Sequence, residues 1–139
     1  MAQTVAEVMT RNPITVAADA PVTTAAERMR EADIGAVIVE DRGRPVGILT
    51  DRDIAVRVVA ENRDLSTPAG QVCSATDVRA VSPDTALPDA VEVMRAAAVR
   101  RLPVVQDGRA VGIVSLGDLA IERDEASALA DISAAEPNK

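Results

Sequence analysis

Two aspartates, Asp53 and Asp118, each follow a hydroxyl residue by three positions, Thr50 in one case and Ser115 in the other. A carboxylate can accept hydrogen bonds from two neighbouring ribose hydroxyls at once, and the nearby hydroxyl adds a third polar contact. The same spacing has a structural use: a hydroxyl at N-cap with an acid at N3 is a capping box, and an early acid favours the helix dipole. Locally the sequence allows both. The adjacent Arg100 and Arg101 offer two guanidinium groups suited to charge-assisted contacts with phosphate, or a solvated pair near a helix end where cations are favourable anyway.

Other chemistry is sparse. The 139 residues contain no His and one Cys, Cys73, so the commonest acid–base and metal-binding side chain is missing and an intrachain disulfide is impossible. There is no nucleophile–base pair, no metal-ligating cluster and no phosphate-cradling glycine loop, so the chain is read as non-catalytic and metal-free. Phe, Tyr and Trp are all absent and the net charge is −7. No ring is available to stack on bases and no overall positive field attracts a nucleic-acid backbone. No apolar stretch approaches the ~18 residues of a membrane span, and Met1-Ala2-Gln3-Thr4-Val5 is not a signal leader. The single thiol suits a reducing compartment, and a soluble cytoplasmic protein is expected.

The two hydroxyl–carboxylate pairs sit in longer matching stretches. Gly47-Ile48-Leu49-Thr50-Asp51-Arg52-Asp53 is followed, 65 residues on, by Gly112-Ile113-Val114-Ser115-Leu116-Gly117-Asp118. Each has a glycine, an apolar run that reads as a buried strand, and a helix start. Upstream, Val22, Ala25, Ala26 and Met29 fall at amphipathic helical spacing, and Leu87, Ala90, Val91 and Met94 repeat them at the same offset. Met29 and Met94 are read as core. Ala36 to Val39 and Val46 to Leu49 read as strands joined by a turn at Asp41-Arg42-Gly43-Arg44, and Leu102 to Val105 and Val111 to Val114 by one at Gln106 to Arg109.

The remaining elements are lighter. Thr4 and Glu7 suggest a capped leading turn through Met9, Ile14 to Val16 a short strand, and Val78 to Val81 its repeat. From Thr50 a helix is expected to run to about Glu61 with Ile54, Ala55, Val58 and Val59 on its apolar side. The organisation read from this is repeat 1 over 1–64, a linker over 65–71, repeat 2 over 72–125 and a C-terminal tail over 126–139. In the tail, Leu129 and Ile132 could give a short helix before Pro137-Asn138-Lys139 frays. A core assembled without aromatic rings must be built from Val, Ile, Leu, Met and Ala. Two copies of this length pair more plausibly about a pseudo-twofold axis than as a solenoid.

The strand ending in Gly-Ile-Leu-Thr-x-x-Asp or Gly-Ile-Val-Ser-x-x-Asp, preceded by a Leu-Pro-Val-Val-type strand and an acidic-Gly turn, twice in tandem, resembles a pair of CBS domains, the Bateman module. The resemblance covers about Val5 to Arg123. It implies an α+β fold, each repeat β-α-β-β-α with a leading helical segment, in a stand-alone protein of the bacterial type that pairs as a homodimer. It implies clefts between repeats that take adenosine-containing ligands such as AMP, ADP, ATP, S-adenosylmethionine or dinucleotides.

Carried over by position, one site would combine Thr50, Arg52 and Asp53 with Ala90, Val99, Arg100 and Arg101; the other would combine Ser115, Gly117 and Asp118 with Ala25, Ile34, Gly35 and Ala36. Only the first set contains the arginine pair, so it is expected to be the phosphate-bearing site. With no aromatic residue, adenine would lie between aliphatic side chains and be read by main-chain groups. The function implied is a regulatory ligand sensor, with no required cofactor, acting on a protein effector in trans. The alternative is a structural or stress-associated CBS dimer that has lost ligand binding.

Overall fold

A computed structural model of the protein describes residues 3–75 and 80–123, which fold into two compact units: one from residues 13–75, the other from 3–12 together with 80–123. In chain order the elements are β1 (Thr10–Arg11), β2 (Thr15–Ala17), α1 (Val22–Ala32), β3 (Ala36–Asp41), β4 (Arg44–Thr50), α2 (Asp51–Ile54), β5 (Ser74–Ala75), α3 (Leu87–Ala97), β6 (Arg101–Gln106), β7 (Arg109–Ser115) and α4 (Leu116–Arg123). Short 3-10 turns lie at Val5–Glu7 and Ala69–Gln71, and a π-helical turn at Ala55–Val59.

The unit of residues 13–75 has a four-stranded sheet in the order β2-β3-β4-β5, parallel between β2 and β3 and antiparallel elsewhere. Val22, Ala25 and Met29 of α1 meet Val37, Val39 and Leu49 of the sheet in an all-aliphatic core. The other unit has a three-stranded sheet, β1-β7-β6, and a core in which Leu87, Ala90 and Met94 of α3 meet Leu102, Val104, Val114 and Leu119. Full burial of such a side chain stabilises by about 1.5–3 kcal/mol, so cores of this kind hold each unit without rings.

Both hairpins turn in two residues with left-handed backbone, Arg42 (φ 55°) and Gly43 (φ 78°) in one and Asp107 (φ 54°) and Gly108 (φ 78°) in the other. That conformation matches the twist of the flanking strands and sets the β3–β4 and β6–β7 registers. Both paired helices also end alike, on a left-handed C-cap at Asp33 and at Ala98.

The packing units do not follow the order of the sequence repeats. Residues 65–71, read as a linker, are packed into the unit of residues 13–75: Val22 N–H donates to the Thr67 carbonyl (2.8 Å), Ala69 N–H to Ala20 (2.8 Å), and Ala69 is fully buried. The N-terminal segment, read with repeat 1, packs with residues 80–123 instead. Val5 N–H donates to Thr85 (2.9 Å), Leu87 N–H to Gln3 (3.1 Å), and β1 pairs with β7. Each short leading segment thus completes the sheet of the unit formed by the other repeat.

The glycines that open the two matching stretches follow from this exchange. A Cβ on Gly47 would lie 2.5 Å from Cys73 Sγ and 2.7 Å from the Ser74 carbonyl; one on Gly112 would lie 2.5 Å from Met9 Sδ and 2.9 Å from the Thr10 carbonyl. Only a residue without a side chain lets β5 and β1 approach so closely.

The leading segment forms a single 3-10 turn, Val5–Glu7, with the Thr4–Glu7 capping box in place. Two local expectations are corrected. Ala26 lies outside the buried stripe of α1 and is exposed. The helix from Thr50 is α-helical only through Ile54 and then widens, with Ala60 N–H donating to Ala55 (2.9 Å) and Arg63 N–H to Val58 (2.9 Å). These i→i+5 bonds change the angular step, so Val58 is buried while Ala55 and Val59 face outward, Val59 at 64% exposure. Val81 bridges Val104 as a short parallel pair, whereas Val78 and the tail at 124–139 lie outside the described residues.

Candidate functional site

Each hydroxyl–carboxylate pair sits where the last strand of a hairpin hands over to a helix. At the end of β4, Thr50 N–H donates to Asp53 Oδ2 (3.0 Å) and Asp53 N–H donates to Thr50 Oγ1 (3.0 Å). At the end of β7, Ser115 N–H donates to Asp118 Oδ2 (2.8 Å) and Asp118 N–H to Ser115 Oγ (3.1 Å). Both capping boxes are complete, which fixes each carboxylate on its own backbone. A carboxylate has about four acceptor sites, so the amide contact leaves each aspartate able to accept from further donors. Asp53 and Asp118 are both half-buried.

Within each unit the hairpin sets beside each box the residues that the sequence groups with the other box. In the unit of residues 13–75, Ala36 stands opposite Thr50 in the β3–β4 ladder, and Asp51 N–H donates to the Gly35 carbonyl (3.0 Å). Ile34 precedes them at the end of α1, its N–H donating to Met29 (3.0 Å). In the other unit Arg101 stands opposite Ser115, Leu116 N–H donates to the Arg100 carbonyl (2.8 Å), and Val99 N–H donates to Met94 (3.0 Å). The structure therefore gathers Ile34, Gly35, Ala36, Thr50, Arg52 and Asp53 within one unit and Val99, Arg100, Arg101, Ser115, Gly117 and Asp118 within the other.

The local charge differs between the two. Arg100 and Arg101 are exposed beside the Ser115 box, while the matching place beside Thr50 carries Gly35, over which the Asp51 carboxylate lies, with Oδ2 3.2 Å from where a Cβ would stand. Arg52 is exposed on α2. Ala25 and Ala90, expected at the sites, are both at 0% exposure inside the aliphatic cores. Each belongs to the buried cluster between its helix and its sheet, at a position that the helical periodicity marks as core.

Arg57 was not among the expected site residues. Its Nη2 lies 3.6 Å from Asp53 Oδ1 and its Nη1 donates to the Val72 carbonyl at 2.8 Å. The i,i+4 spacing from Asp53 to Arg57 is a charge-pair signal that could have drawn attention to it. Beyond Val72 lies Cys73, whose thiol is held above its ordinary pKa by burial; the Asp53 carboxylate adds to the rise and Arg57 opposes it. Among the described residues no group of three or more His, Cys, Asp or Glu side chains is placed to hold a metal ion, and no helix is long and apolar enough to cross a membrane.

Comparison with known proteins places these stretches. The CBS domain family matches twice, over residues 5–60 and 69–124. The CBS domain-containing protein YhcV of Bacillus subtilis is 40% identical over 133 residues, covering 93% of this chain and 94% of the relative. Among solved structures, the CBS domain pair of protein MJ0100 in complex with 5′-methylthioadenosine and S-adenosyl-L-methionine superposes with a TM-score of 0.77 at 25% identity, over 89% of this chain and 98% of the other. The hexameric CBS-CP12 protein from bloom-forming cyanobacteria superposes with a TM-score of 0.77 at 29% identity, over 89% and 74%.

Proposed function

The chain belongs to the CBS-domain family, with two copies in tandem, and from that premise we propose that it is a non-catalytic regulatory module that binds an adenosine-containing ligand, of the AMP, ADP or ATP class or S-adenosylmethionine. The observation that carries this reading is the repeated box. In each copy a half-buried carboxylate is pinned at a strand–helix junction by one amide and keeps acceptor capacity for a pair of vicinal hydroxyls. The related pair solved with methylthioadenosine and S-adenosylmethionine supports the same ligand class.

In this reading Asp53 and Asp118 hold ribose hydroxyls, assisted by Thr50 and Ser115. Arg52, Arg100 and Arg101 supply cations for phosphate or carboxylate groups of the ligand, Arg100 and Arg101 as exposed forks suited to bidentate contact. Ile34, Gly35, Ala36, Val99 and Gly117 supply aliphatic and main-chain contacts to the base. The protein works as a homodimer on a partner protein, an assembly reading supported in its coarser form by the hexameric relative.

A thermal-shift screen with adenosine, AMP, ADP, ATP, NAD and S-adenosylmethionine tests this. A ligand at 100 times its dissociation constant adds about 2.7 kcal/mol of stability, which at roughly 2–4 °C per kcal/mol is a shift of several degrees. The shift is expected to fall in Asp53→Ala and Asp118→Ala. No shift with any of the six would favour the second reading, a structural or stress-associated dimer. The specific observation on that side is that each carboxylate already accepts from the backbone of its own N-cap residue, as a purely structural cap would.

A further inference from the structure

Asp53 and Asp118 share their capping contacts, and among the described residues it is Asp53 whose other carboxylate oxygen has a charged side chain beside it. Asp53 Oδ1 has the Arg57 guanidinium at 3.6 Å, and the same guanidinium donates to the Val72 carbonyl at 2.8 Å. The Asp53 side chain is 13% exposed and that of Arg57 45%, so the bridge runs from a largely enclosed carboxylate to a partly open cation. Sixty-five residues after Arg57 the sequence has Glu122, which cannot serve a carboxylate in this way.

The bridge has the i,i+4 spacing at which side chains meet on one helical face. Asp53 lies in the α-helical part and Arg57 in the π-helical turn, where the wider step turns Val58 into the core and leaves Arg57 beside the segment that returns after Ala69–Gln71. That segment is itself tied down, with Val72 fully buried and Ser74 and Ala75 paired to β4. Val72 therefore gives the guanidinium a fixed anchor, and an anchored guanidinium gives Asp53 Oδ1 a fixed orientation.

We infer that Arg57 is a positioning residue for Asp53, orienting the carboxylate toward a ribose diol and coupling it to the returning segment at Val72. The inference rests on the nucleoside reading above and deepens it, since it assigns to the Asp53 box a further side chain that sharpens its grip on vicinal hydroxyls. Arg57 acts through the carboxylate and not on phosphate, so its loss weakens adenosine and AMP alike.

The test is calorimetric titration of the full chain and of Arg57→Gln and Arg57→Lys, each in an Asp118→Ala background so that only the Asp53 box is read, with adenosine, AMP and 2′,3′-dideoxyadenosine. Hydrogen exchange of residues 69–75 is followed in parallel. Arg57→Gln is expected to weaken adenosine and AMP by on the order of tenfold, to bring their affinity toward that of the dideoxy analogue, and to speed exchange at 69–75. Arg57→Lys is expected to restore part of each.

If the background variant binds adenosine but Arg57→Gln keeps both its affinity and its preference for the diol, the inference is overturned while the nucleoside reading stands. Loss of AMP binding alone, with adenosine unchanged, overturns it in favour of a direct phosphate contact. If even the unsubstituted chain binds neither adenosine nor AMP, the nucleoside reading fails and takes the inference with it.

Discussion

Arg101 stands directly opposite Ser115 in the β6–β7 ladder, the place that Ala36 holds opposite Thr50 in the β3–β4 ladder. Two hairpins of the same register and the same two-residue turn thus set a cation beside one capping box and a methyl group beside the other. Arg100→Ala and Arg101→Ala are expected to weaken AMP and ATP by more than tenfold, from about 1.5–3 kcal/mol per charge-assisted hydrogen bond, and to leave adenosine within about twofold. Titration calorimetry with the three ligands reads this out. An equal loss for adenosine would mean that the arginines shape the fold and do not contact phosphate.

The boxes also have a stability role separable from binding. Thr50→Ala and Ser115→Ala each remove the acceptor of the N3 amide, at Asp53 N–H and Asp118 N–H. Each is expected to cost about 0.5–2 kcal/mol, whereas Thr50→Ser, which keeps the oxygen, should cost far less. Urea unfolding without ligand is the measurement; unchanged midpoints for the alanine variants would show that the caps contribute nothing.

Close approach at Gly47 and Gly112 makes a methyl group intolerable there. Gly47→Ala presses on Cys73 Sγ and the Ser74 carbonyl, and Gly112→Ala on Met9 Sδ and the Thr10 carbonyl. Backbone as well as side chain stands in the way, so each variant is expected to lose about 1–3 kcal/mol. Hydrogen exchange should then rise first in the displaced edge strand, β5 or β1.

Ala98 closes α3 in the left-handed region at φ 54°, exposed and without a glycine's freedom. Ala98→Gly is expected to stabilise by up to about 1 kcal/mol through relief of this conformation, partly offset by the entropy glycine adds to the unfolded chain. A raised melting temperature checks it. A lowered one would mean that the methyl group packs usefully at the helix end.

Two groups give opposite pH dependences. The Glu7 carboxylate is held below its ordinary pKa by the Gln3 N–H, the Thr4 hydroxyl and the Thr4 N–H. Its contribution is therefore present at neutral pH and is lost as pH falls through the lowered folded value. Burial first, then the Asp53 carboxylate, raises the Cys73 thiol. Above the unfolded pKa of the thiol the unfolded chain gives up a proton that the folded chain keeps, so stability falls as pH rises there. Glu7→Gln should flatten the acid limb of the stability profile and Cys73→Ala the alkaline limb; denaturant titrations across pH would show either limb unmoved if these groups are not responsible.

By itself the sequence determined the duplication, the order of strand, turn and helix, the aliphatic character of the cores and the two hydroxyl–carboxylate boxes. All of these are local: periodicity names a buried face, a two-residue turn sets a hairpin register, and a hydroxyl three residues before an acid closes on its own backbone. Tertiary structure decided what depends on contacts between residues far apart in the chain. It sent the N-terminal segment to pack with Thr85 and Leu87 and turned residues 65–71 from a connector into part of a core. It made Gly47 and Gly112 necessary by bringing β5 and β1 against them, enclosed Ala25 and Ala90, and carried Val72 to Arg57. The pattern of a single stretch records which face is apolar but not which distant segment will cover it, because that choice is made by the packing of the whole unit.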